Sequence, residues 1–154
     1  MLVLGIDPGS KRIGFGFVEK TGGQLKFVTA DLLVRPKNLL EIKNQITSLI
    51  EKYKPNLLAV EKLYFSKNQK TALDVAEARG VIILSALEKN LTIAEFTPNE
   101  IKSAVTGYGL ADKKAVAKMV RLSLNEPELN VIDDVTDALA IAITATSQVL
   151  KTLD

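Results

Sequence analysis

Residues 2–34, LVLGIDPGSKRIGFGFVEKTGGQLKFVTADLLV, decide how the chain begins to fold. Residues 2–7 are a short apolar run stopped by Pro8-Gly9-Ser10, which predicts a buried strand closed by a turn. Residues 12–19 put Ile13, Phe15 and Phe17 at alternate positions, the two-residue period of a half-buried strand. Thr21-Gly22-Gly23-Gln24 supplies a hairpin turn, and residues 25–34 return as a third strand. Three strands joined by tight turns make an antiparallel meander.

Beyond Pro36 the period changes. Leu39, Leu40, Ile42, Ile46, Leu49, Ile50 and Tyr53 follow helical spacing up to Lys54-Pro55. Leu57–Glu61 is short and almost wholly apolar, which suits a strand inside a sheet rather than at its edge. Residues 69–89 read as a second helix; Val81–Leu84 alone would pass for a strand, but the run on both sides favours helix. Residues 91–96 make a fifth strand, and Thr97-Pro98-Asn99-Glu100 is a helix start with Thr as cap and Glu three residues on. Two helices follow, at roughly 112–124 and 132–150. The order β-β-β-α-β-α-β-α-α predicts an α/β fold of one domain, residues 1–154, with a five-stranded mixed sheet and helices on both faces. That is the arrangement of the ribonuclease H-like nucleases, and also of half an actin-like ATPase.

Composition narrows the chemistry. The 154 residues include no His and no Cys. Disulfides, thiolate nucleophiles, iron–sulfur clusters, imidazole bases and His- or Cys-ligated metals are excluded. Any bound metal is a hard cation held by oxygen, and acid–base work falls to Asp, Glu, Lys, Tyr or water. The formal charge of +2 is uneven: residues 62–124 carry ten Lys and Arg against six Asp and Glu, the remainder ten against twelve. A basic middle beside acidic ends fits a phosphate-binding surface flanking a carboxylate site, and equally fits solvated helix faces. Asp7 interrupts the apolar start too early for a signal peptide, and no apolar run approaches the roughly 20 residues that span a bilayer. A cytoplasmic chain is expected.

Four acids stand out. Asp7 ends the first strand and Glu61 the fourth, while Asp134 and Asp137 lie three residues apart at the start of the last helix. Strand ends of a mixed sheet open on one crevice, so a last helix packed across it would gather all four. Taken singly, Asp7 suits an Asx-type turn, and Asp133 or Asp134 suits a helix cap. Asp137, followed by Ala138-Leu139-Ala140-Ile141, needs a partner for its charge. Gathered together without a cation, the carboxylates would repel one another. Mg²⁺ or Mn²⁺ suits them, and two such ions about 3.5–4 Å apart suit phosphodiester hydrolysis without any His.

Nucleic-acid contacts have candidates too. Tyr64 and Phe65 lie among Lys62, Lys67 and Lys70, a mixture that suits base stacking with phosphate contact, although core packing would also explain the rings. Gly107-Tyr108-Gly109 precedes Lys113, Lys114, Lys118 and Arg121, which would offer backbone and charge to phosphates or form a solvated helix face. The second helix carries apolar residues on more than one face and so needs more than one packing partner, which a homodimer would supply.

The motifs GIDPGS at 5–10, G-x-G at 14–16, AVEKLYFSKN at 59–68, ALDVAEARG at 72–80, TPNEIKSAVTGYGLADKKAVAKMV at 97–120 and DDVTDALAIAIT at 133–144 resemble the RuvC Holliday-junction resolvases. The resemblance runs in order through nearly the whole chain. It implies a homodimer that makes paired nicks in four-way DNA junctions with Mg²⁺ during recombination and repair, alongside the branch-migration proteins RuvA and RuvB. On it, Asp7, Glu61, Asp134 and Asp137 fall on the family's metal-binding catalytic acids; some relatives carry His at the position of Asp134. Lys102 and Lys113 match basic positions near the scissile phosphate and on the DNA-facing surface. Tyr64 falls where relatives place a junction-stacking aromatic, with Phe65 beside it. Lys11-Arg12-Ile13-Gly14 departs from this pattern and is equally close to the YqgF-like relatives. The competing readings are an actin-like ATPase or sugar-kinase fragment, since Gly5–Ser10 also resembles a phosphate loop, and a catalytically silent junction-binding module. The first lacks a second lobe and the second is at odds with a complete acid set.

Overall fold

A computed structural model of the chain describes residues 1–9, 11–64 and 69–148, Gln69 by its backbone only. Strands β1 (Leu2–Pro8), β2 (Ile13–Thr21) and β3 (Gln24–Leu32) form the expected meander. Helix α1 (Leu39–Tyr53), β4 (Leu57–Glu61), α2 (Gln69–Glu88) and β5 (Thr92–Phe96) follow, then α3 (Pro98–Thr106), α4 (Lys113–Ser123) and α5 (Asp133–Gln148). The sheet is mixed, in the order β3-β2-β1-β4-β5, with β1 antiparallel to β2 and parallel to β4.

One element exceeds the expected order. The segment opened by Thr97 is a helix of its own, so three helices rather than two follow β5. It starts with a capping box, Thr97 accepting from the Glu100 N–H while the Glu100 carboxylate accepts from the Thr97 N–H. It stops after nine residues because Gly107 takes a left-handed conformation, φ 79°, and returns its N–H to the Ser103 carbonyl. Helix α1 ends the same way at Lys54, φ 50°, ahead of Pro55.

Alternation along the strands divides the core between two faces. Leu4, Ile6, Ile13, Phe15, Phe17, Leu58 and Val60 face α1 and α2, meeting Ile42, Ile46, Ile50, Ala78 and Ile82. Val3, Val18, Leu57 and Ala59 face the other way and meet α3, α4 and α5. Helix α5 is buried from Val135 to Thr146 except Asp137, because it lies between the sheet and the other two helices. No helix among the described residues is long and apolar enough to cross a membrane.

The approach of α5 to the sheet depends on missing side chains. A Cβ on Gly5 would stand 2.2 Å from the Ala138 carbonyl oxygen, one on Gly14 2.1 Å from that of Asp134, and one on Gly16 2.6 Å from the Leu139 side chain. The first two obstacles are backbone and cannot move aside alone. Gly5→Ala and Gly14→Ala are each expected to cost about 3 kcal/mol of stability, toward the upper end for overpacking, in urea unfolding followed by circular dichroism. A loss under about 0.5 kcal/mol for both would show that α5 can shift freely.

Candidate active site

The acids come together at the C-terminal edge of β1 and β4. Register pairs Ile6 with Val60, so the next residue of each strand, Asp7 and Glu61, stands beside the other. Helix α5, lowered onto the glycines, brings Asp134 and Asp137 to the same end. The four then act on one another electrostatically. Asp7 is raised from its ordinary 3.8 to about 7, by burial first and then by Asp137, Asp134 and Glu61, with Lys113 opposing them. Glu61 is raised by burial and then by Asp137, against Lys102. Burial also raises Asp137, against Lys113 and Lys102. Asp133 and Asp134 add to the rise of Asp137, and the exposed Asp133 carboxylate stands 3.8 Å from the Lys113 ammonium.

Cations border the acids. Glu61 and Asp137 share a cleft of about 190 Å³ with Lys102 of α3 and Lys113 of α4. Lys113 Nζ lies 4.0 Å from Asp137 Oδ2. Arg12, from the β1–β2 turn, places Nη2 2.9 Å from Asp134 Oδ2. That oxygen is buried yet has no hydrogen-bond donor, so the contact supplies charge without alignment. Four carboxylates, one with an orphaned buried oxygen and one pushed to about 7, form a donor set that suits a hard divalent cation. Among the described residues no three of them yet close on a single ion.

The other expected residues are distributed as follows. Tyr64 is exposed three residues beyond Glu61, so it is not a core ring. Lys114 and Lys118 are exposed on α4 and stand outside the cleft lining. Phe65 and Lys67 lie outside the described residues. Two residues escaped the reading of the sequence. Arg79 of α2, nearly buried, donates from Nε to the Glu61 carbonyl at 3.0 Å and pairs with Glu95, tying the ends of β4 and β5 together. Arg12 is the second. Only its motif was visible; its partner lies more than a hundred residues away.

The raised carboxylates invert the common dependence of stability on pH. Between pH 3.8 and about 7 the folded chain retains a proton on Asp7 that the unfolded chain has released. The folded state therefore binds more protons, and its stability falls as pH rises through that window. In EDTA the chain is expected to melt higher at about pH 5 than at about pH 8. Asp7→Asn should flatten that slope and add about 1–3 kcal/mol at the higher pH, after allowance for the solvent that still reaches the group. Thermal melts across pH check both outcomes.

A family model described as crossover junction endodeoxyribonuclease RuvC matches residues 3–145. The crossover junction endodeoxyribonuclease RuvC of Caldicellulosiruptor saccharolyticus is 45% identical over 150 residues, covering 93% of this chain and 90% of its own. That of Petrotoga mobilis is 47% identical over 148 residues, covering 92% and 91%. Thermus thermophilus RuvC has a similar structure, with TM-score 0.88, 28% identity and coverage of 99% and 97%. The same protein in complex with a Holliday junction substrate gives TM-score 0.87 at 29% identity, covering 95% and 93%. With a family model matching residues 3–145 and relatives 45–47% identical over more than nine-tenths of its length, this chain belongs to the RuvC family of crossover junction endodeoxyribonucleases.

Proposed function

We propose that this chain is a structure-selective endodeoxyribonuclease that resolves Holliday junctions by paired symmetrical nicks in homologous recombination and repair, with two Mg²⁺ ions per site and as a homodimer. The reading is supported above all by the gathering of Asp7, Glu61, Asp134 and Asp137 at one sheet edge in a chain of this family. The actin-like ATPase alternative is not favoured, since the family match covers residues 3–145.

Each residue has a role in this proposal. The four carboxylates hold the ions, which would polarise the scissile phosphate and activate water. Asp7, half-buried and crowded, gains most from neutralisation and would serve as the central ligand. Lys102 and Lys113, bordering the acid cleft, balance charge on the phosphate, which an all-acid surface would repel. Tyr64, exposed close to Glu61, stacks on a base exposed where the junction opens. Lys114 and Lys118 extend the phosphate track along α4, and Phe65 and Lys67, which follow Tyr64 in the sequence, add to it.

The dimer follows from α2. Leu73, Ala76, Gly80, Leu84 and Leu87 are all exposed and fall on one side of the helix at 100° per residue. A second copy packed on that stripe would cover it, and a twofold axis would hold two acid sites at fixed separation for symmetric cuts. Cytoplasmic action and work alongside RuvA and RuvB complete the proposal.

Incubation with labelled four-way, forked and linear DNA in Mg²⁺ tests the activity. Paired nicks in the four-way substrate are expected, and equal cutting of linear DNA would overturn the selectivity. Asp7→Asn should abolish nicking and leave junction binding intact. Tyr64→Ala should cost about 1–3 kcal/mol in junction processing, read as a drop in cleavage rate with metal dependence unchanged. Sedimentation of the wild type should give a dimer that Leu84→Glu dissociates; a wild-type monomer at every concentration, with and without junction DNA, would refute the α2 interface.

A further inference from the structure

Lys11-Arg12 is the stretch that sets this chain apart in its motif, and the proposed function gives it no role. Arg12 is also the cation in closest contact with the acid group. Its Nη2 is 2.9 Å from Asp134 Oδ2, against 4.0 Å between Lys113 and Asp137. We propose that Arg12 is a built-in counter-cation, which neutralises Asp134 while no divalent ion is bound and competes with that ion for the same carboxylate. The inference rests on the reading of the four acids as a cation site.

Three features of the contact suit a placeholder rather than a permanent ion pair. First, it is incomplete. Asp134 Oδ2 is buried and has no hydrogen bond, so Arg12 offsets the charge of the carboxylate without satisfying its lone pair. A divalent ion would do both and would take the place of the guanidinium. Second, the Arg12 side chain is 56% exposed against 21% for Asp134, so Arg12 can leave into solvent while the acid stays in place. Third, there is somewhere to go. Arg12 lines a cavity of about 550 Å³ whose wall includes Asp74 and Glu77 of α2. Neither carboxylate is ion-paired among the described residues, so both can receive the displaced charge. Lys11, Arg35 and Lys37 line the same cavity.

Arg12 is in these terms a positioning residue. It keeps Asp134 from adding its full charge to the crowd around Asp7 before the ion arrives. The same attraction makes metal binding weaker than the bare acids would allow. A pair with one largely exposed partner is a modest competitor, so the effect on affinity is a small factor rather than orders of magnitude.

Mn²⁺ titrations followed by the electron paramagnetic resonance of the free ion, without DNA, test the proposal on the whole chain. R12Q is expected to bind Mn²⁺ about two- to fivefold more tightly than the wild type, with R12K in between. In EDTA, R12Q should melt below the wild type and then gain more on adding the ion. Equal or weaker Mn²⁺ binding by R12Q would overturn the proposal, as would an unchanged Mn²⁺ affinity coupled to weaker junction binding, which would make Arg12 a phosphate contact. Flat titrations for both chains would overturn the cation-site reading and the competition with it, an outcome distinguishable from binding that is equal in the two.

Discussion

The distance between α5 and the sheet is the constraint on which the rest depends. Gly5, Gly14 and Gly16 leave a groove across β1 and β2, and the helix backbone at Asp134 and Ala138 fills the space their side chains would occupy. Glycine inside strands sacrifices roughly 0.5–1 kcal/mol apiece in chain entropy. The return is a helix buried from Val135 to Thr146, apart from Asp137, with Ala138 and Ala142 in close contact with Gly5. The same contact brings two acids of α5 to Asp7. Packing and chemistry are therefore served by one interface, and neither can be altered without the other.

That interface creates an electrostatic difficulty as it solves the geometric one. Three of the four acids are raised, burial being the leading cause in each, with neighbouring acids adding to it. A structure optimised for stability alone would not place them there; functional sites are where such conflicts persist. The protein tempers the conflict with cations drawn from elements far apart in the chain: Lys102 from α3, Lys113 from α4 and Arg12 from the β1–β2 turn. Arg79 adds mechanical support, because its bond to the Glu61 carbonyl fixes the strand end from the opposite face of the sheet.

Much of the fold was legible in local pattern. The alternation of Ile13, Phe15 and Phe17 and the capping box at Thr97 and Glu100 describe interactions within a few residues, so a linear reading captures them. Gly107 stands in a Gly-Tyr-Gly stretch that suits a phosphate-facing loop, and only its left-handed backbone separates the helix that Thr97 opens from the two that follow. Tyr64 resisted assignment for a similar reason: a ring beside lysines is compatible with a core or a surface, and burial depends on partners that sequence does not display. Asp137 was more readable. A charge set in an otherwise apolar helix demands a partner, whatever the fold.

The sequence by itself determined which chemistry the chain can attempt. Lacking His and Cys, it must use oxygen ligands, and its four acids occur where strands end and a helix begins, positions set by local periodicity. Only the tertiary structure decided that these acids meet, that Arg12 and Lys113 face them, and that the leucines of α2 remain uncovered. The physical reason is range. Secondary structure follows from bonds and contacts between near neighbours, whereas electrostatic coupling and burial depend on distances in space, and those are settled only when α5 comes to rest on the glycines of β1 and β2.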